Sequence, residues 1–425
     1  MLDKESIEID VNEERSYEMN FFLLQFAHRH MDFQLAELQS ILDMYNLLHL
    51  CEIHPLPNEQ HPHLWERANS QQQSEEKAKY PFGPGISLTS YSKGVDEQKL
   101  KEFTMAPPNN DQKSSPVAQD VIKPPTKNRK GSISSTRSFL ILSFPINFDN
   151  NKETDQGKLV LKAFTRCVLV RSVIELWGSA KDMRGCANGV KQYAMTSEPN
   201  GMKSKRSSLV QKYCIEGEKS WKLTIHTFGS KYSREEQSTM RSEFSFLPFT
   251  GAVKMVDPDD EYILIREIEL DSLGSPLYPR HSHKKEVIPA NDARPPLAVY
   301  FGRILLSGLR EGKVDKFSLK KRKYLGPTSM DTELSMIMTN LGQVSKCKFP
   351  YTIQNSYSFM MLIPKGTPQS QVKKGSFCFD PFVGTGSILL TCALQGAYCF
   401  GTDIDIRVLR GKGSDQNIYA NFKQV

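Results

Sequence analysis

The first apolar positions of the chain form a continuous run, and the next ones recur at helical spacing. Residues 20–26 are an apolar stretch of strand length, and the apolar positions that follow recur at helical spacing: Phe33, Leu35, Leu38, Ile41, Leu42 and Tyr45. A short apolar run predicts a buried strand, and the wider spacing predicts an amphipathic helix. The chain is therefore expected to begin with a β-strand followed by an α-helix.

This pattern stops near residue 51 and returns near residue 137. Residues 51–136 are rich in Pro, Gln, Ser, Lys and Glu, a composition that favours disorder, so we interpret them as a disordered insertion. Beyond it, the pattern predicts a strand at 139–144, a helix at 159–166 and a strand at 168–177. Together with the first strand and helix, these elements predict a small α+β domain interrupted by a loop.

The middle of the chain, residues 179–296, mixes helical and strand patterns. Strand-like runs lie at 221–228, 244–249 and 262–268 and are separated by polar segments, which predicts a second domain. A third region begins near residue 314. It opens with four basic residues before Tyr324, namely Lys320, Lys321, Arg322 and Lys323. Charge next to an aromatic ring suits single-stranded nucleic acid, although such runs are also common on ordinary solvated surfaces.

Length and composition narrow the class of protein. A chain of 425 residues exceeds one compact core and predicts two or three domains. Its net charge of +7 favours a polyanionic partner, for which RNA is the natural candidate.

The eight cysteines form no C-x-x-C pair and predict reduced, buried thiols. No apolar run reaches the ~18 residues of a membrane span, and we expect a cytoplasmic location. Three H-x-H pairs lack a third ligand at a sensible spacing, so we predict no metal site.

The most informative motif is a glycine turn near the end of the sequence. Residues 380–386 read DPFVGTG, between a predicted strand at 376–379 and a predicted helix at 387–394. Gly384 and Gly386 lack a Cβ, which lets the backbone turn sharply and approach a ligand. Asp380 suits a ligand ammonium group, and Asp403, after the next strand, suits a ribose diol. We interpret this arrangement as an S-adenosylmethionine pocket.

Two further ligand classes fit the glycine turn less well. The chain contains no G-x-x-x-x-G-K-[ST] motif, so a phosphate-binding P-loop is excluded. A dinucleotide-binding turn starts with glycine where this chain has Asp380, which disfavours a nicotinamide oxidoreductase. The plainest alternative is an ordinary βαβ connection that binds nothing.

Several segments together resemble one family of enzymes. Residues 322–331 (RKYLGPTSMD), 380–386 and 401–405 closely resemble the catalytic subunit of eukaryotic tRNA (guanosine-10 N2)-methyltransferases. Upstream segments agree in order, at 22–42, 174–178, 225–228, 246–249 and 300–303. The resemblance implies α/β and α+β domains: an N-terminal ferredoxin-like domain, a THUMP domain that binds tRNA, and a Rossmann-like class I methyltransferase domain. It also implies a small zinc-binding activator protein as partner.

The resemblance assigns roles to individual residues. It implies methyl transfer from S-adenosylmethionine to the exocyclic N2 amine of guanosine 10 in tRNA. The residues that it places around the cofactor are Thr328, Ser329 and Met330 below it, Asp380, Pro381, Gly384 and Gly386 in the loop, and Asp403 at the ribose.

The sequence departs from the family pattern in two ways. Family members orient the amine with an Asp-Pro-Pro-Tyr motif, but no D-P-P-[YF] or N-P-P-[YF] occurs in this chain, so the catalytic residues stay unassigned. The chain ends shortly after the second strand of the methyltransferase sheet, and we expect a partial, catalytically incomplete domain. In addition, residues 344–371 separate segments that are close together in the family. We interpret them as an insertion from a retained intron, since valine codons begin GT and a glutamine codon can end in AG.

These observations predict a domain layout and leave alternatives open. The expected domains are ferredoxin-like at 18–50 and 137–178, THUMP-like at 179–300, and partial methyltransferase at 314–425. Besides the methyltransferase, a tRNA-binding protein without catalysis and an adenine amino methyltransferase remain possible functions.

Overall fold

The structure, a computed structural model, describes residues 19–58, 81–105, 138–145, 155–195, 209–226, 232–268, 296–326, 329–344 and 376–423. The strands are β1 Met19–Phe26, β2 Glu52–His54, β3 Ile86–Ser87, β4 Phe139–Pro145, β5 Val170–Ala180, β6 Trp221–His226, β7 Asp260–Glu267, β8 Ala298–Leu306, β9 Phe377–Asp380 and β10 Tyr398–Gly401. The α-helices are α1 Gln34–Met44, α2 Leu88–Met105, α3 Asp155–Arg166, α4 Met183–Tyr193, α5 Arg234–Ser242, α6 Glu311–Val314, α7 Thr332–Leu341, α8 Ser387–Leu394, α9 Ile406–Arg410 and α10 Ile418–Phe422.

Eight strands form one mixed sheet in the order β3-β2-β4-β1-β5-β8-β7-β6. Strands β6 and β7 are parallel, and the other described neighbours are antiparallel. The central strand β1 has its apolar side chains buried on both faces, which explains why its sequence is a continuous apolar run. The predicted strands at 20–26 and 139–144 and the predicted helix at 159–166 are confirmed.

Each face of the sheet has its own apolar core. Helix α4 and the segments around Leu209 and Phe244 pack against one face, with Trp177 at the centre. Helices α1, α2 and α3 pack against the other face. Consecutive side chains of β1 point to opposite faces of the sheet, so Leu23 lies in the first core and Leu24 in the second. The protein is therefore a mixed α/β structure in which one sheet separates two apolar layers.

The large sheet bears on two of the sequence-based predictions. The boundary that we expected between residues 178 and 179 lies inside β5, which pairs with both β1 and β8, so one sheet runs through both predicted units. The predicted domain layout itself stays a prediction.

The prediction of disorder across 51–136 is wrong for part of that range, because β2, β3 and α2 lie within it. The apolar side chains Ile53, Leu88 and Tyr91 are fully buried, and a composition average over the whole range hides them.

The strand predicted at 244–249 is also wrong. The described structure there is a turn that follows α5, and Phe244 and Leu247 enter the first core from it. Helix α5 ends just before this turn and begins with a capping box, in which Ser233 and Glu236 each satisfy the other's backbone N–H. Two buried side chains three residues apart fit a turn as well as a strand, and the sequence pattern does not separate the two cases.

The third part of the chain contains a small parallel sheet and docks on the first. Strands β9 and β10 are parallel, and α8 connects them. Helix α7, which precedes them, contributes Met336 and Ile337 to the second core of the large sheet. Its Asn340 donates to Glu37 Oε1 (2.7 Å), while Glu37 also accepts the backbone N–H groups of Val168 (2.9 Å) and Leu169 (3.0 Å). These contacts join the methyltransferase-like part to the N-terminal layer.

The described cysteines are free thiols. Six of them are buried and Cys399 is partly buried, as the sequence predicted, while Cys347 lies outside the described residues. Burial raises the pKa of Cys399 to about 12, so this thiol stays protonated near neutral pH. Within the described residues, every helix is too short or too polar to cross a bilayer.

Candidate cofactor-binding site

The glycine turn joins β9 to α8 at the carboxyl ends of the two parallel strands. Gly384 has φ +50° and Gly386 has φ +84°, both in the left-handed region that glycine adopts at low cost. Val383 N–H donates to the Thr402 carbonyl and Gly386 N–H donates to the Val383 carbonyl, at 2.9 Å and 2.8 Å. The turn is therefore held between the ends of β9 and β10, which is where α/β sheets bind their ligands.

The Asp403 side chain lies against this turn. Its Oδ2 accepts the Gly384 N–H (2.9 Å) and its Oδ1 accepts the Asp405 N–H (2.9 Å). Asp380 closes the other side, where its Oδ1 accepts the Phe382 N–H at 2.9 Å. The structure thus brings together Asp380, Gly384 and Asp403, three of the residues that the sequence placed around the cofactor.

The segment before α7 packs under the turn. Ser329 Oγ lies 2.7 Å from Thr385 Oγ1 and accepts the Gly326 N–H at 3.0 Å. Ser329 and the neighbouring Met330 therefore lie beside the glycine turn, while Thr328 lies outside the described residues. That these residues line a cofactor site stays a prediction.

One residue near the turn was missed by the sequence analysis. Asn421, on α10, is buried and forms a pair of hydrogen bonds with the backbone of Tyr324, accepting its N–H (2.9 Å) and donating to its carbonyl (2.8 Å). It also donates to the Thr385 carbonyl at 3.2 Å. Asn421 thereby fixes the basic segment, the glycine turn and α10 to one another. As a single polar residue in the short segment IYANF, it gave no signal of this role in the sequence.

The four basic residues predicted to contact RNA divide into two groups. Arg322 turns inward, where its guanidinium donates to Ser387 Oγ (2.6 Å) at the start of α8 and to Thr332 Oγ1 (3.4 Å) at the start of α7. Burial lowers the pKa of Arg322. Lys320, Lys321 and Lys323 are exposed. Arg322 therefore braces the two helices next to the turn, and the RNA contact of the three lysines stays a prediction.

Several apolar side chains in and near the turn are exposed. Phe382 is 83% exposed, Ile404 is fully exposed, and Tyr419 is 77% exposed. Ile404 directly follows Asp403, so an apolar surface lies next to the carboxylate. Exposed apolar groups beside a few fixed polar atoms are typical of small-molecule sites.

S-adenosylmethionine fits this arrangement chemically. An added Cβ on Gly384 would meet only the Phe382 carbonyl oxygen at 4.0 Å, so the backbone there faces open space. Each oxygen of Asp403 accepts one backbone N–H and has a further lone pair for a hydroxyl. Ile404 provides an apolar surface for a planar ring. The residues at the turn thus match the ribose and the adenine of the cofactor.

One of the histidines that we judged unable to bind metal lies beside two carboxylates. His30 comes together with Asp331 and Glu333, with one ligand atom of each within 4.8 Å of the others. However, Arg310 donates to both oxygens of Glu333 (3.0 Å and 2.8 Å), and Arg29 lies 3.3 Å from it. Two guanidinium groups already neutralise this carboxylate, so we interpret the cluster as an ion-pair network.

Comparisons with known proteins support the family resemblance. The family described as "Tmrp11 THUMP N-terminal domain" matches residues 150–310. The chain is 31% identical over 297 residues to "tRNA (guanine(10)-N(2))-methyltransferase TRMT11" of Bos taurus, an alignment that covers 67% of this chain and 50% of the relative. The protein of the same name from Homo sapiens is 30% identical, with 67% and 49% covered. The chain spans about half the length of the curated relatives that it matches.

A solved structure, "Crystal structure of TrmN from Thermus thermophilus", aligns with 74% of this chain and 64% of that chain, at 11% identity and a TM-score of 0.28. This TM-score is too low to support an argument. The sequence relatives and the THUMP match carry the comparison without it: over about two thirds of its length the chain is homologous to the proteins named tRNA (guanine(10)-N(2))-methyltransferase TRMT11.

Proposed function

We propose that this protein is the catalytic subunit of a tRNA methyltransferase that transfers a methyl group from S-adenosylmethionine to N2 of guanosine 10. The observation that carries the proposal is the contact between the Asp403 carboxylate and the Gly384 N–H, which joins the glycine turn to the end of β10. The relatives that share about 30% identity with this chain bear the name of this activity.

The side chains around the turn have separate roles in this proposal. Asp403 accepts hydrogen bonds from the ribose hydroxyls, and Asp380 holds the ammonium group directly or through water. Gly384 and Gly386 let the backbone approach the methionine part. S-adenosylmethionine supplies an electrophilic methyl group on a sulfonium. Ser329 and Thr385 fix the floor of the site through their hydroxyl contact.

The nucleophile in this reaction needs help from the protein. The lone pair of the guanine N2 amine is conjugated into the ring, so an enzyme must orient the amine and accept its hydrogens with oxygen atoms. The 425 residues contain no Asp-Pro-Pro-Tyr motif for this purpose, and the group that does it is not assigned.

The proposal includes two macromolecular partners. The tRNA contacts the THUMP-like region and the exposed lysines Lys320, Lys321 and Lys323, whose charge suits the phosphate backbone. A small zinc-binding activator protein forms a heterodimer with the methyltransferase part. Both assignments follow from the family, and the net charge of +7 supports the first.

The test is a methyl-transfer assay with labelled S-adenosylmethionine and the chain co-expressed with the activator. The matched substrates are two tRNA transcripts that differ only at position 10, one with guanosine and one with inosine, which lacks the N2 amine. Since the Asp-Pro-Pro-Tyr motif is absent from the 425 residues, we expect transfer to be slow or undetectable, and we expect whatever label is transferred to enter the guanosine tRNA and not the inosine tRNA. Equal labelling of both would refute transfer to that amine.

Binding measurements separate the alternatives. Binding of both tRNA and S-adenosylmethionine without any transfer would favour a tRNA-binding protein without catalysis. Label in adenosine would favour an adenine amino methyltransferase. Absence of cofactor binding would contradict the role of the glycine turn.

A further inference from the structure

A short basic segment before α7 faces helix α8 across a cleft. The segment, residues 316–322, contains a single 3₁₀ turn at Leu319–Lys321. Four residues of the segment and two leucines of α8 line the cleft, namely Lys316, Phe317, Lys321, Arg322, Leu390 and Leu394. We call this feature the basic cleft. The sequence analysis singled out Lys321 and Arg322 but missed Lys316 and Phe317.

The basic cleft carries positive charge without an acidic side chain in its lining. Among the described residues that line it, three are cations and none is a carboxylate. Lys316 and Lys321 are exposed. The Lys316 Nζ lies 4.9 Å from the centre of the Phe317 ring, and this cation–π contact holds the ammonium group beside the cleft. Arg322 is anchored by its hydrogen bonds to the starts of α7 and α8, so it contributes its charge from a fixed position.

The opposite wall of the cleft is apolar. Leu390 is buried and Leu394 is partly buried, and both belong to α8. Apolar atoms screen a charge much less than water does, so the cations attract an anion more strongly here than on an open surface. Clefts with one sign of charge and low-dielectric walls also concentrate ions of the opposite sign. An anion is therefore the ligand that the basic cleft suits.

The basic cleft lies close to the glycine turn. Arg322 donates to the hydroxyl of Ser387, which directly follows Gly386. Because a helix rises about 1.5 Å per residue, Leu390 lies roughly 5 Å along α8 from Ser387. Gly384 and Asp403 do not line the cleft, so it is separate from the candidate cofactor site. An anion in the cleft is thus a neighbour of whatever substrate group reaches the turn.

We propose that the basic cleft binds a backbone phosphate of the tRNA, within a few nucleotides of the one whose base reaches the glycine turn. Lys316 and Lys321 bind the phosphate oxygens as point charges. The aromatic ring beside these cations is Phe317 rather than Tyr324, which is 6% exposed and donates its hydroxyl to the Val408 carbonyl (2.9 Å). The assignment of the phosphate to tRNA rests on the proposed function.

The first test neutralises one phosphate at a time. Synthetic tRNAs each carry an uncharged methylphosphonate at one linkage near position 10, and their affinity for the full chain is measured by fluorescence anisotropy. At one linkage we expect the wild type to lose affinity by roughly two- to fivefold, as for an exposed ion pair. Lys316→Gln already lacks the contact, so the same linkage should have no further effect on this variant.

The control for this test is Lys162→Gln, an exposed charge on α3 in the N-terminal part of the chain. It should lose affinity at the same linkage as the wild type and by the same factor. The proposal is overturned if Lys316→Gln responds to every methylphosphonate as the wild type does, or if no linkage near position 10 affects the wild type.

A second measurement separates the basic cleft from the proposed function. The full chain with ¹³C-methylated lysines is titrated with inorganic phosphate, and signals are assigned with Lys316→Arg and Lys321→Arg, which keep the charge. We expect the signals of Lys316 and Lys321 to shift to saturation while that of Lys162 stays in place. If they do so but the wild type fails to bind tRNA, the anion site stands and the proposed substrate is wrong. If they shift no more than Lys162, the site is refuted whatever the tRNA result.

Discussion

Replacing Asp403 with asparagine tests the cofactor site most directly. Each of the two carboxylate oxygens accepts one backbone N–H at 2.9 Å, from Gly384 and from Asp405. Asparagine keeps one oxygen and presents an NH₂ group in place of the other. One backbone N–H then loses its acceptor, and the hydrogen bonds to the ribose lose the negative charge that strengthens them.

The magnitude follows from these two changes. A hydrogen bond to a charged group contributes about 1.5–3 kcal/mol, and loosening of the turn acts in the same direction. We expect Asp403→Asn to weaken S-adenosylmethionine binding by about 2 kcal/mol, which corresponds to roughly 30-fold in Kd. Isothermal titration calorimetry on the full chain measures this ratio.

The neighbouring Asp405 provides a matched control. Its two carboxylate oxygens are taken by the Arg407 guanidinium, both at 2.9 Å, so its side chain does not face the turn. Asp405→Asn removes the same charge from the same loop and should change Kd by less than about threefold. The reasoning fails if Asp403→Asn also stays within that range, or if both variants lose equal affinity.

Three further predictions concern stability. Burial lowers the pKa of His54 to about 4 from 6.5. Between these two pH values the unfolded chain binds more protons than the folded chain. The free energy of unfolding therefore falls by about 3 kcal/mol as the pH drops through this range. Urea unfolding at several pH values should show this loss in the wild type but not in His54→Gln, and equal slopes would contradict it. Asn421→Ala leaves buried backbone groups of Tyr324 unpaired and should cost about 2–3 kcal/mol, seen as faster hydrogen exchange at 322–326; unchanged exchange would refute it. Gly384→Ala places a Cβ at φ +50° in open space, so the cost is backbone strain of about 1–2 kcal/mol; a melting temperature equal to that of the wild type would argue against it.

The sequence predicts the centre of the large sheet well, because burial on both faces leaves a simple signature there. Strand β1 and strand β4 are both continuous apolar runs, and each prediction agrees with the structure within two residues. Strand β2 has three residues and α2 is mostly polar. Neither therefore has an apolar pattern that stands out from the polar residues around it. The sequence pattern assigned the turn at Phe244 to a strand. Over so short a segment, apolar residues two positions apart cannot be distinguished from apolar residues three positions apart.

At the candidate site, residues that act through local backbone geometry were predictable and residues that act across the chain were not. Gly384, Gly386 and Asp403 lie within one short motif whose spacing carries the information. Asn421 bonds to Tyr324, which is 97 positions away in sequence, and Arg322 bonds to Ser387, 65 positions away. Partners this distant become visible only once the fold brings them together.

The position of β1 in the sheet has a consequence for synthesis on the ribosome. Both of its neighbours, β4 and β5, are encoded far downstream, from Phe139 and Val170 onward. At about 5–20 residues per second, roughly 6 to 23 seconds pass between the synthesis of the end of β1 and that of the start of β4. During that time Phe21, Phe22, Leu23 and Leu24, all buried in the folded protein, are exposed on the nascent chain. A strand that is buried on both faces in the folded protein is therefore exposed to aggregation for several seconds while the chain is being made.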